Sequence, residues 1–239
     1  MGWLRARPAL LGLLLGLSAV ASTCRHGQAG AAPCAGEDDR ARVAAGRIER
    51  SWPLRGSGPD ADFVRALGTR LGAVAGPTPY PWTFVLVRDA RPNAFSVGGG
   101  RIYLTEGAIR ACETEAELAA LLAHEMGHQL SGHFCDPPGR SVAGGSAGLR
   151  QHIDPRQERE ADEASIRLLS AAGYDPRAAL AIATRISRRG DGEGREAGGA
   201  SRIEELAGMV ARAPAGGRTD SKEFQRLRRQ LDGTPRNGQ

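Results

Sequence analysis

Between Thr114 and Leu130 the apolar residues Leu118, Leu121, Leu122, Met126 and Leu130 return every three or four positions, the repeat of one helical face. Thr114 and Glu117 stand at capping-box spacing ahead of this run, and Ser131-Gly132 closes it. The same periodicity in Phe63, Val64, Leu67 and Leu71 predicts a helix over 60–75, opened by Asp60 and stopped by Gly76-Pro77. Residues 82–87 alternate instead, with Trp82, Phe84 and Leu86 on one side and Thr83, Val85 and Val87 on the other, which is a strand. Residues 93–97 run irregularly into Gly98-Gly99-Gly100, and 101–105 form a second strand, so this stretch predicts a small antiparallel sheet. Asp154-Pro155 and Asp175-Pro176 each pair a capping side chain with proline at the first helical position. They predict helices reaching Gly173 and Ser187, and two more follow over 201–211 and 219–231.

The start of the chain reads as an address. Arg5 and Arg7 precede a short apolar stretch over 9–21, and Ala19-Val20-Ala21 has the small residues a signal peptidase needs. Residues 1–23 are therefore expected to be an export signal. Cys24 follows at once and leaves three fates open, soluble release, a lipid anchor on Cys24 or an uncleaved anchor. All three place the body outside the cytoplasm, in the periplasm or cell envelope, where disulfides form. Cys24 and Cys34 can then pair if Cys24 is not lipidated, whereas Cys112 and Cys135, at opposite ends of a helix, are not expected to meet. The domain reading is a signal peptide at 1–23, a flexible tether at 24–57 with one short helix around 38–50, a core at 58–187, and a linker with C-terminal helices over 188–239. Length and composition fit this: 239 residues make one compact domain, and no run is long enough for a polytopic membrane protein. The net charge of +5 comes almost wholly from Arg, without the aromatic–basic interleaving of a nucleic-acid surface, so no nucleic-acid partner is expected.

The chemistry sits in His124-Glu125-Met126-Gly127-His128. Residues four apart share a helical face, so both imidazoles can bind one ion, and Glu125 beside them can reach a water in the ion's open position. Two histidines and a glutamate in an apolar stretch would be costly to bury without that use. A third ligand is needed. His133 lies just past the terminator Gly132 and is left out, and His152 sits in a weakly patterned approach segment. Glu158 is the better candidate, with Asp162 one turn on to accept a hydrogen bond from a liganding imidazole. Glu160 is expected to face solvent.

These residues, with the stretches PWTFVLV, NAFSVGGGRIYLTEG, AHEMGH, EREAD and SAAGYDP, resemble the gluzincin metallopeptidases that include the CAAX prenyl protease and the heat-shock protease HtpX, over residues 81–203. The resemblance implies an α+β, zincin-like fold, with a small antiparallel sheet packed on a mainly helical core. It implies one zinc ion held by His124, His128 and Glu158, Glu125 as general base, and Asp162 behind a ligand. A substrate strand would add along Asn93, Ala94, Phe95 and the Gly99 turn. The implied activity is endopeptidase cleavage of envelope proteins in quality control. One departure stands out: relatives carry a histidine ahead of an Arg-Ile pair, and here Arg202-Ile203 is preceded by Glu196. That departure favours the alternative of a zinc-stabilised chaperone or binding module.

Overall fold

A computed structural model describes residues 34–135, 154–189 and 199–233. The expected export signal, Cys24, His152 and Glu196 lie outside the described residues. In chain order the elements are α1 (Glu37–Ser51), β1 (Leu54–Arg55), α2 (Pro59–Val74), β2 (Thr83–Val87), β3 (Ala94–Ser96) and β4 (Arg101–Thr105). They continue with α3 (Glu106–Ala111), α4 (Glu115–Leu130), α5 (Pro155–Ala171), α6 (Arg177–Arg189), α7 (Gly199–Arg212) and α8 (Lys222–Asp232). The class is α+β, as expected. No described helix is long and apolar enough to cross a membrane.

The sheet runs in the order β1-β2-β4-β3 and is mixed rather than wholly antiparallel. β2 and β4 pair in parallel, Phe84 opposite Ile102 and Leu86 opposite Leu104, while β3 pairs antiparallel with β4 on the outer edge. The chain leaves β2, passes to the far edge as β3, and turns at the three glycines into β4, so the two long strands end side by side in one direction. Alternation fixes the faces. Phe84, Leu86, Ile102 and Leu104 join the main core with α2, α4 and the C-terminal helices. Val87, Phe95 and Tyr103 face a smaller cluster with Ala45 and Ile48 of α1.

The helix starts follow their capping chemistry. Thr114 Oγ1 accepts from the Glu117 amide at 3.3 Å, and Asp154 accepts from the Arg156 amide at 2.9 Å. α4 is the central element. It is buried along most of its length and packs chiefly against α5. The two helices approach closely at Gly127, where a Cβ would lie 2.7 Å from the Ala161 carbonyl oxygen. Only glycine permits that approach, and it brings the first turn of α5 up to the two histidines.

The segment expected as a tether is fastened from Cys34 onward. Cys34 and Cys135 form a disulfide across 101 residues, so the pairing of Cys34 with Cys24 is corrected. Cys135 pairs not with Cys112 but with this distant partner, and Cys112 is a buried thiol. α1 then lies over the glycine turn. The buried Glu37 accepts from the Gly99 amide at 3.1 Å and from Gln129 Nε2 at 2.7 Å, and Gln129 Oε1 accepts from the Gly100 amide at 3.1 Å.

Candidate metal centre

α4 presents His124 and His128 on one face, with their Nε2 atoms 3.2 Å apart. From α5, Glu158 brings Oε2 to 3.4 Å from His124 Nε2 and Oε1 to 3.4 Å from His128 Nε2. Zinc bonds of about 2.0–2.2 Å in a tetrahedron set neighbouring donors roughly 3.3–3.5 Å apart. The three side chains therefore fit a zinc ion by geometry as well as by donor type. A second group, Cys34, Glu37 and Cys135, also brings metal-binding atoms together, but its two sulfurs are spent on the disulfide.

Electrostatics point the same way. Burial disfavours a charged His124, yet hydrogen bonds donated to Asp162 and Glu158 raise its pKa to about 10. Glu158 and Asp162 are themselves pushed up by burial. His124 and His128 at Glu158, and Arg202 and His124 at Asp162, more than reverse this, leaving Glu158 well below the usual carboxylate range and Asp162 at about 2. His128 is held neutral chiefly by its burial. The carboxylates around His124 thus favour positive charge where its ring faces His128 and Glu158.

Glu125 lies on the β3 side of the two histidines. Burial raises its carboxyl to about 7, against the pull of His124 and of the Ser96 hydroxyl. Ser96 donates to Glu125 Oε2 at 2.9 Å. Asp162 accepts from His124 Nδ1 at 2.9 Å, the contact the spacing suggested. Of the strand residues singled out from the sequence, Ala94 and Phe95 lie in β3, one of the two edge strands among the described residues, and Asn93 just precedes it. The Phe95 ring turns away from the metal side and stacks on Tyr103. The Gly99 amide is already engaged by Glu37.

Four contacts escape a reading of the sequence. Ser96 holds Glu125, although nothing in its neighbourhood marks a hydroxyl as special. Arg202, from α7, donates to both oxygens of Asp162 at 2.9 and 2.8 Å and pairs with Glu158 at 2.7 Å. The Arg-Ile pair was visible, but not its reach into the site. His133 is not among the converging donors, as expected, yet it packs behind His128. Glu160, expected to face solvent, is bonded to His133 at 3.0 Å and to Arg156 Nε at 2.9 Å.

Comparison with known proteins agrees with this arrangement. Residues 61–136, which contain β2 to β4 and both histidines, match peptidase family M48. The chain is 30% identical over 149 residues to the mitochondrial metalloendopeptidase OMA1 of Schizosaccharomyces pombe, covering 54% of this chain and 44% of that protein. It is 31% identical over 147 residues to the beta-barrel assembly-enhancing protease of Yersinia pestis, covering 48% and 30%. The corresponding protease of Escherichia coli K12 is 28% identical over 162 residues, covering 52% and 33%. The chain thus spans less than half the length of these relatives. The resemblance read from the motifs holds: over these residues the chain is similar to the M48 metallopeptidases.

Proposed function

With its similarity to the M48 metallopeptidases as the premise, we propose that the chain is a zinc-dependent endopeptidase acting on proteins of the cell envelope, in quality control. The observation that carries this reading is the triangle of His124, His128 and Glu158 donors at 3.2–3.4 Å, with the Glu125 carboxylate beside it. His124, His128 and Glu158 hold one zinc ion, and Asp162 fixes the His124 ring. Zinc so bound supplies a Lewis acid for the scissile carbonyl and lowers the pKa of water towards 7. Glu125 takes the proton of the attacking water and later hands it to the leaving amine. Ser96 keeps Oε2 of that carboxylate in place throughout. The substrate lies extended against the outer edge of β3, along Asn93, Ala94 and Phe95, with Gly99 in the turn at its end.

Residues 1–23 direct export, and Cys24 is the point of either release or lipid anchoring. The mature chain then works in the periplasm or envelope, associated with a membrane only through its N-terminus. The names of the bacterial relatives, beta-barrel assembly-enhancing proteases, support an envelope substrate.

The test pairs metal analysis with cleavage of casein by wild type and Glu125→Gln. Wild type is expected to bind one zinc and to cut. The variant is expected to bind zinc equally and to lose about 10²–10⁴-fold or more in rate. Undiminished cleavage by Glu125→Gln would remove the mechanism. Zinc uptake without any cleavage by wild type would favour a binding module instead.

A further inference from the structure

Both candidate zinc-binding imidazoles need their other ring nitrogen occupied if Nε2 is to face the ion. For His124 the partner is direct, since Nδ1 meets Asp162 at 2.9 Å. For His128 Nδ1 no carboxylate among the described residues is a direct partner. Its Nδ1 lies 2.9 Å from Nδ1 of His133, and His133 Nε2 lies 3.0 Å from Glu160 Oε2. We propose that His133 and Glu160 form a positioning relay that fixes the tautomer and orientation of His128 for zinc. This rests on the zinc reading above and deepens it.

The direction of the relay follows from donor and acceptor chemistry. The Glu160 carboxylate can only accept, so His133 Nε2 carries the proton facing it. In the neutral His133 ring, Nδ1 is then a lone pair, and His128 Nδ1 must donate to it. That leaves the lone pair of His128 on Nε2, pointing at His124 Nε2 and Glu158. Every hydrogen bond runs outward from the ion to a carboxylate, as it does at His124. The Glu160 carboxylate is braced in turn by Arg156, which donates to Oε1 at 2.9 Å.

The helix terminator supplies the geometry. Gly132 adopts φ of +74°, and its amide bonds to the Gln129 carbonyl at 3.2 Å, while the His133 amide bonds to the His128 carbonyl at 3.1 Å. This pair of bonds is the Schellman ending, and it folds the residue after the glycine back under the last turn. His133 therefore cannot join His124 and Glu158, but it is delivered behind His128, where it is buried. α5 meets it with Glu160, two residues beyond Glu158.

The experiment measures zinc affinity of the full chain by competition with a chromophoric chelator, alongside thermal melting of the zinc-free protein. His133→Phe keeps a flat ring and removes both hydrogen bonds. It should lose about 10–100-fold in zinc affinity. His133→Gln can still accept from His128 and donate to Glu160, so it should recover most of that loss. Glu160→Ala should weaken binding by about threefold or more, by removing the anchor. Long-range ¹H–¹⁵N spectra of the zinc-loaded wild type should place the His128 proton on Nδ1. Wild-type affinity in His133→Phe, or the proton on Nε2 of His128, would overturn the relay. Should His133→Phe fail to fold, Glu160→Ala decides, because its side chain is 35% exposed and its loss spares the core; unchanged affinity there overturns the proposal. A wild-type protein that takes up no zinc sinks both readings, whereas equal affinity across the variants sinks the relay alone.

Discussion

Replacing Gly127 by alanine tests how the site is assembled. Alanine is the better helix former by about 1 kcal/mol, so an exposed position would gain roughly that much stability. Here the added Cβ would stand 2.7 Å from the Ala161 carbonyl oxygen, 3.0 Å from its Cα and 3.1 Å from the Ala164 Cβ. The first two are backbone atoms and cannot swing aside. Relief requires α5 to retreat by about 0.5 Å or more to reach ordinary contact distance. Overpacking of that kind costs about 1–3 kcal/mol, which cancels or exceeds the helical gain. Glu158 lies one turn before Ala161 and would move with it. Because a metal constellation tolerates displacements only up to about 0.5 Å, zinc affinity should fall by about tenfold or more. Urea unfolding and chelator competition measure both quantities. Gly127→Ala that is about 1 kcal/mol more stable, with zinc affinity unchanged, would refute the argument that this glycine sets the distance between α4 and α5.

Three other outcomes follow from the same structure. Zinc binding at pH 7 should release about one proton, because His124 is held protonated in the metal-free site while Glu158 is already ionised; calorimetry in buffers of different ionisation enthalpy counts it, and no release contradicts the assignment. In EDTA-treated protein the raised pKa of His124 contributes stability that is complete below pH 6.5 and lost as pH climbs towards about 10, while Asp162, lowered from 3.8 to about 2, contributes above pH 3.8 and loses its share as pH falls. Its melting temperature should therefore fall as pH climbs from 7 to 9.5, and a rise over that range would contradict this. Reducing the Cys34–Cys135 bond, which closes 101 residues, should cost about 4 kcal/mol by urea unfolding, and Cys34→Ser should be insensitive to reductant.

The chemistry was legible because it is local. His124 and His128 share a face through helical spacing, and Asp154-Pro155 marks the start of the helix that brings Glu158 and Asp162. The parallel pairing of β2 with β4 was not legible, since alternation identifies a strand but not its neighbour. α1 escaped as a packed element because it buries Glu37, Ala41, Ala45 and Ile48, a face nearly without large apolar residues. Once that segment is read as a tether, a bond from Cys34 to Cys135 has no reason to be sought. His133 was left out of the ligand set, and its place behind His128 was not legible, because it depends on the backbone turn at Gly132 and on a glutamate 27 residues away.

X-ray diffraction from crystals of the full chain, with anomalous data at the zinc edge, addresses the central claim most directly. A single strong peak should lie about 2.0–2.2 Å from Nε2 of His124, Nε2 of His128 and a carboxylate oxygen of Glu158. A peak elsewhere, or a Glu158 side chain turned away from both imidazoles, would contradict it.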